Sequence, residues 1–236
     1  MKILPLIVIC IANVTACHAA SVSWGAAIDT GIIDASGAAL TTSNVVRIGY
    51  FGTLTNSQVQ ANALTPSGIT ALNSDWHQFA QSTIGTNTFA PGSFSESSSP
   101  LYSSLSGFTP SSQIYFWALK SSDPVNNPLT TVTQTAIGYV PFANLPSWRF
   151  PASDVSPGVS IDVSQLSNAN SVFLAGSYVS ASSPSLTSTF GSVNHAVQLA
   201  NVSAVPEPST FAIGLIAAFA AAGSRNRRSK KLPATI

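Results

Sequence analysis

The chain has 236 residues, of which 45% are hydrophobic and only 7% charged, with a formal net charge of +1. That length holds one domain, or at most two small ones, once terminal signals are set aside. Between residues 21 and 203, Arg47, Lys120 and Arg149 face Asp29, Asp34, Asp75, Glu96, Asp123, Asp154 and Asp162. So acidic a body lacks the basic stripe that a phosphate backbone requires, which excludes nucleic acid as a partner.

The first element is an export signal. Met1-Lys2 supplies a positive start, residues 3–12 are almost wholly apolar, and Cys17-His18-Ala19-Ala20 offers small residues to a signal peptidase. Residues 1–20 are expected to be removed. Val14-Thr15-Ala16-Cys17 is similar to a bacterial lipobox, in which Cys17 would be lipidated, and that alternative stays open. Cys10 and Cys17 are the only cysteines, so a chain cut after Ala20 has no disulfide.

From residue 21 the pattern is that of short strands bounded by Gly, Pro, Asn and Ser. Strands are predicted over 22–28, 45–51, 113–119, 135–140, 159–163, 172–179 and 195–199. Val159, Ile161 and Val163 alternate with polar residues, giving one buried face, whereas 114–119 shows no alternation and reads as a central strand covered on both sides. Asp34-Ala35-Ser36-Gly37 reads as a tight turn. Ile69, Leu72, Trp76 and Phe79 recur at helical spacing behind Thr65-Pro66, which predicts one or two helices between 56 and 80, packed across an end or edge of the sheets. The Ser-rich stretch 92–112 and the segment 123–128 read as loops, and 200–205 as a linker. The expected fold is mainly β: a β-sandwich or barrel-like body over 21–203 with a small helical insert.

The body is poor in chemistry. It has only His77 and His195 and no Gly-x-Ser-x-Gly elbow, so an activated serine is not in view. Asp29 with Asp34, or Asp123 with Asn126, could offer oxygens to calcium, but ordinary turn aspartates look the same. No metal, cofactor or catalytic residue is assigned. Among Trp24, Trp76, Trp117 and Trp148, the last sits in the Pro-bounded stretch Leu145-Pro146-Ser147-Trp148-Arg149-Phe150-Pro151. It is the candidate exposed platform for a sugar, with packing over a sheet edge as the alternative.

The last element is the tail. Pro206 and Pro208 hold Glu207 in an extended stalk, and an apolar helix follows over 211–222. Gly223 closes it before the cluster Arg225, Arg227, Arg228, Lys230 and Lys231, a charge asymmetry that places a membrane helix with its C-terminus in the cytoplasm. The order Val205-Pro206-Glu207-Pro208-Ser209-Thr210, apolar helix, basic cluster resembles the PEP-CTERM sorting signal of Gram-negative bacteria. The resemblance implies that Pro206, Glu207 and Pro208 are the recognition motif for an exosortase-type membrane protease, that 211–222 is a short transmembrane anchor, and that the bases are a stop. It also implies a final location at the cell surface or in the extracellular matrix. The loose match of 29–51 to bodies found upstream of such tails adds no activity.

The sequence therefore divides into 1–20, 21–203, 204–231 and a short tail, 232–236. The expected function is that of an exported structural or adhesive protein of the envelope or exopolysaccharide matrix, not an enzyme. A polysaccharide-binding module is the alternative, and a secreted hydrolase the third reading.

Overall fold

The computed structural model describes residues 21–26, 30–40, 42–84, 92–105, 107–141, 143–144, 148–154, 158–163, 166–167, 169–179, 187–188, 191–192 and 195–203. Contacts divide the chain into Met1–Val202 and Ser203–Ile236, and the elements below belong to the first unit. The expected signal over 1–20 and the expected motif, apolar helix and basic cluster over 204–231 lie outside the described residues.

The protein is mainly β. In chain order the elements are β1 (Val22–Ala26), β2 (Thr30–Ile33), β3 (Val45–Phe51), α1 (Asn56–Asn62), α2 (Pro66–Asp75), β4 (Trp76–Thr83), β5 (Phe94–Ser98), β6 (Tyr115–Ser121), β7 (Val132–Tyr139) and β8 (Val159–Asp162). They continue with β9 (Val172–Ala175), β10 (Ser177–Val179), β11 (Thr187–Ser188), β12 (Gly191–Ser192), β13 (His195–Gln198) and β14 (Ala200–Asn201).

The largest sheet is antiparallel and runs β14-β7-β6-β3-β4, with β9 beside β14 on the same edge of β7. At its centre β3 is buried along its whole length. Val46, Ile48 and Tyr50 enter one core, and Phe51 enters another on the opposite face. β6 is treated the same way, with Phe116 and Ala118 on one side and Trp117 and Leu119 on the other, as its unbroken apolar sequence predicts. Each such large side chain contributes roughly 1.5–3 kcal/mol through burial.

The two faces have different covers. Helices α1 and α2 bring Val59, Ala63, Ile69 and Leu72 onto the face of Trp117 and Ile137. The helical insert therefore lies on a sheet face, not across an end or edge as expected, because its own apolar stripe needs that surface. Thr55 caps α1 in a reciprocal pair with Gln58, and Thr65 caps α2 ahead of Pro66, as its sequence predicts. On the other face, two three-stranded sheets, β5-β1-β8 and β10-β13-β2, share a core with the large sheet through Val22, Trp24, Ile32, Phe94, Ile161 and Val197.

The chain changes sheets at two neighbouring points. β9 and β10 are separated by Gly176 alone, and β13 and β14 by Leu199 alone; in each pair one strand belongs to a small sheet and the other to the large one. The single strand expected over 172–179 is thus bent into two. Gly176 has φ +74, and a Cβ there would run into the Gln198 carbonyl oxygen and lie 2.8 Å from the Ala136 side chain. Only glycine meets both demands.

Three further expectations change. Trp76 and Phe79 belong to a strand, since α2 ends at Asp75. Residues 94–98 of the expected Ser-rich loop form β5, paired along β1 from Ala26↔Phe94 to Val22↔Ser98. The expected linker still carries sheet bonds at Ala200 and Asn201, and the Val202 amide donates to the Thr133 carbonyl at 2.8 Å. Among the described residues no helix is long and apolar enough to cross a membrane.

Candidate functional site

Trp148 is not a platform. It is 0% exposed, its ring stands edge-on to Phe116 at 6.3 Å, and its carbonyl accepts from the Ile114 amide at 3.1 Å. The Trp148 amide in turn donates to the Val140 carbonyl. These bonds to the ends of β6 and β7 draw the residue into the core, so it offers no face to a sugar.

Asp29 lies outside the described residues, and both histidines, Asp34 and Asp123 have structural partners. His77 lies on β4 and stacks on Tyr50, with ring centres 4.8 Å apart. His195 stacks on Tyr178 at 5.6 Å. The Asp34 carboxylate receives Lys120 Nζ at 2.7 Å and the amides of Ser36 and Ala38 at 2.8 and 2.9 Å. Burial alone would push that carboxyl up, but the ammonium and the turn donors outweigh it and hold the group well below the usual carboxylate range. Asp123 accepts from the side-chain amides of Asn126 and Asn127. These amides, together with the Asn126 backbone N–H, make the Asp123 carboxylate the acceptor of its own turn. Among the described residues no cluster of three or more His, Cys, Asp or Glu could hold a metal ion.

Among the described residues, two of the clefts bear on a site. The larger, about 330 Å³, lies over β5-β1-β8 and is lined by Ser23, Gly25, Ser95, Glu96, Ser160 and Asp162 among others. Its two carboxylates do not form a pair. Glu96 is registered opposite Trp24 and Asp162 opposite Gly25, and successive positions on β1 point to opposite faces.

The smaller cleft, about 150 Å³, sits where β3 ends and β6 begins, and is lined by Tyr50, Phe51, Gly52, Leu54, Ser112, Gln113 and Tyr115. Its wall is aromatic: Phe51 and Tyr115 meet at 5.4 Å and Tyr115 and Tyr139 at 5.0 Å. Asn56, at the start of α1, accepts from the Tyr115 hydroxyl and donates to the Tyr139 hydroxyl, both at 2.7 Å. Burial, and then the neighbouring Tyr139, push Tyr115 up to about 12. Sequence reasoning missed this cluster, because its residues come from strand ends and a loop that meet only through the pairing of β3 with β6.

Arg47 is also placed unexpectedly. It is 5% exposed, lies against the rings of both Trp76 and Trp117, and donates to Gln78 and Asn73 at 2.8 and 2.7 Å. Burial pulls its guanidinium down to about 10.

No family model, curated protein or solved structure matches the chain.

Proposed function

We propose that the chain is an exported structural or adhesive protein of the bacterial envelope or exopolysaccharide matrix, without catalytic activity, delivered by its C-terminal signal. The observation that carries this reading is the succession of motifs in the tail sequence: Pro206-Glu207-Pro208, an apolar stretch over 211–222, and then Arg225, Arg227, Arg228, Lys230 and Lys231. An export signal at the other end of the chain supports the same route. In it, a signal peptidase removes 1–20, the apolar stretch spans the inner membrane with the bases in the cytoplasm, and an exosortase-type protease releases the body near Glu207.

The test is the mass of the mature protein in a strain with an active exosortase. The expected product lacks 225–231, and Glu207→Ala retains them. A mature wild-type protein that still carries 225–231 overturns the reading.

The second reading, a polysaccharide-binding module, is favoured by one observation. The smaller cleft has an uncharged, aromatic-walled lining, the combination that sugars require.

A further inference from the structure

The side-chain protons around the smaller cleft are all spent inside the protein. The Tyr50 hydroxyl donates to the Gly107 carbonyl, Ser112 Oγ to the Thr109 carbonyl at 2.6 Å, and the Tyr115 hydroxyl to Asn56 Oδ1 at 2.7 Å. The Gln113 amide nitrogen faces three backbone carbonyls, those of Trp148 at 2.8 Å and of Ile114 and Val140 at 3.1 Å. Three acceptors on one side fix which end of the amide is nitrogen, and they lock the side chain. Gln113 Oε1 is left as an acceptor that no donor reaches among the described residues. Ser112 Oγ and the Tyr115 oxygen keep lone pairs as well.

The side chains of the cleft are thus one-signed in their hydrogen bonding, offering acceptors and no donors. The cleft is also without formal charge. An anion would meet lone pairs and no base. A cation would leave water without a carboxylate to receive it, and Arg47 already places a buried positive charge on the Phe51 side of β3. A neutral group that brings several hydroxyl donors and one apolar face satisfies both the acceptors and the aromatic wall.

We propose that the cleft formed by Tyr50, Phe51, Leu54, Ser112, Gln113 and Tyr115 binds a neutral sugar residue, its hydroxyls donating to Gln113 Oε1 and Ser112 Oγ and its apolar face against Tyr115. The proposal rests on the polysaccharide-binding reading and is independent of the sorting reading. Because Gln113 is locked before the ligand arrives, the site costs little ordering on binding.

The test uses the full chain and a panel of neutral methyl hexosides and neutral oligosaccharides, with a uronic-acid oligosaccharide and a choline salt as charged probes. Binding is read by saturation-transfer NMR and titration calorimetry. The expected result is saturable binding of a neutral probe, weakened more than about tenfold, or 1.4 kcal/mol, by Ser112→Tyr, which fills the cleft. Ser112→Ala removes one acceptor without filling the space and is expected to weaken binding several-fold, with thermal melts of both variants matching the parent. Neutral-probe binding that survives Ser112→Tyr overturns this site but leaves the polysaccharide-binding reading standing. Binding of a charged probe alone overturns the site's assigned chemistry, and no binding of any neutral probe overturns both.

Discussion

Arg47 holds its guanidinium carbon 5.1 Å from the ring centre of Trp117, in a layer closed by two helices. The ring faces stabilise the cation, and Asn73 and Gln78 occupy part of its fork, so no carboxylate is used. Lysine, a compact point charge, cannot reach both acceptors and still spread a planar cation against the two rings. Arg47→Lys is therefore expected to lose about 2 kcal/mol of stability, and Arg47→Met less, because methionine keeps the stem and buries no charge. Urea denaturation of the three proteins checks the order. A lysine variant as stable as the parent would remove the stacking account.

The ion pair of Asp34 with Lys120 predicts behaviour in acid. The folded carboxyl is lowered from its ordinary value of 3.8, so its contribution is present above that value and is lost as pH falls below it. Lys120 is about a third exposed, which screens the pair and limits it to about 1 kcal/mol. Stability measured against pH in the parent and in Lys120→Met should differ at neutral pH and converge in strong acid. Parallel curves across that range would contradict the pairing.

At alkaline pH the tyrosines dominate. Tyr115 is raised from 10.0 to about 12, with Tyr102 and Tyr139 also raised, chiefly by burial. A folded value above the unfolded one means that stability is intact below pH 10 and declines as pH rises toward 12. Tyr115→Phe should flatten that decline and remove one late step from the tyrosinate absorbance titration. If the variant titrates like the parent, Tyr115 is not shielded.

Gly176 predicts a backbone effect with no loss of apolar contact. Gly176→Ala forces a side chain into a positive-φ site against the Gln198 carbonyl, at an expected cost of about 2 kcal/mol or more. Thermal unfolding measures it. A melting temperature equal to the parent's would mean that the corner relaxes freely.

Much of the fold can be read locally, and the exceptions have physical causes. Val45–Phe51 and the capped start of α2 carry their own signals. β4 does not, because a bulge interrupts its alternation: Gly49 pairs with Gln78 and Ile48 with Ala80, leaving Phe79 as the extra residue. Trp76 then faces the helices and Phe79 the opposite core, and their spacing happens to prolong the helical period of Ile69 and Leu72. β5 buries little beyond Phe94, so its serines look like loop until β1 pairs with them. Trp148 is set by the same limit. Nothing within its Pro-rich neighbourhood encodes its bonds to Ile114 and Val140, which lie far from one another in sequence or across a turn from it.

The two parallel pairings carry a consequence for how the fold is reached. β1, at residue 22, is seated against β8, beginning at 159, and β2, at residue 30, against β13, beginning at 195. The earliest strands of the body find their partners near its end, so contact order is high and loop closure must come before these contacts repay it. Until β8 is present Trp24 has no complete home, and until β13 is present Ile32 has none. The body is expected to close late, all at once, and slowly, and a chain truncated before residue 195 should remain an open, aggregation-prone intermediate.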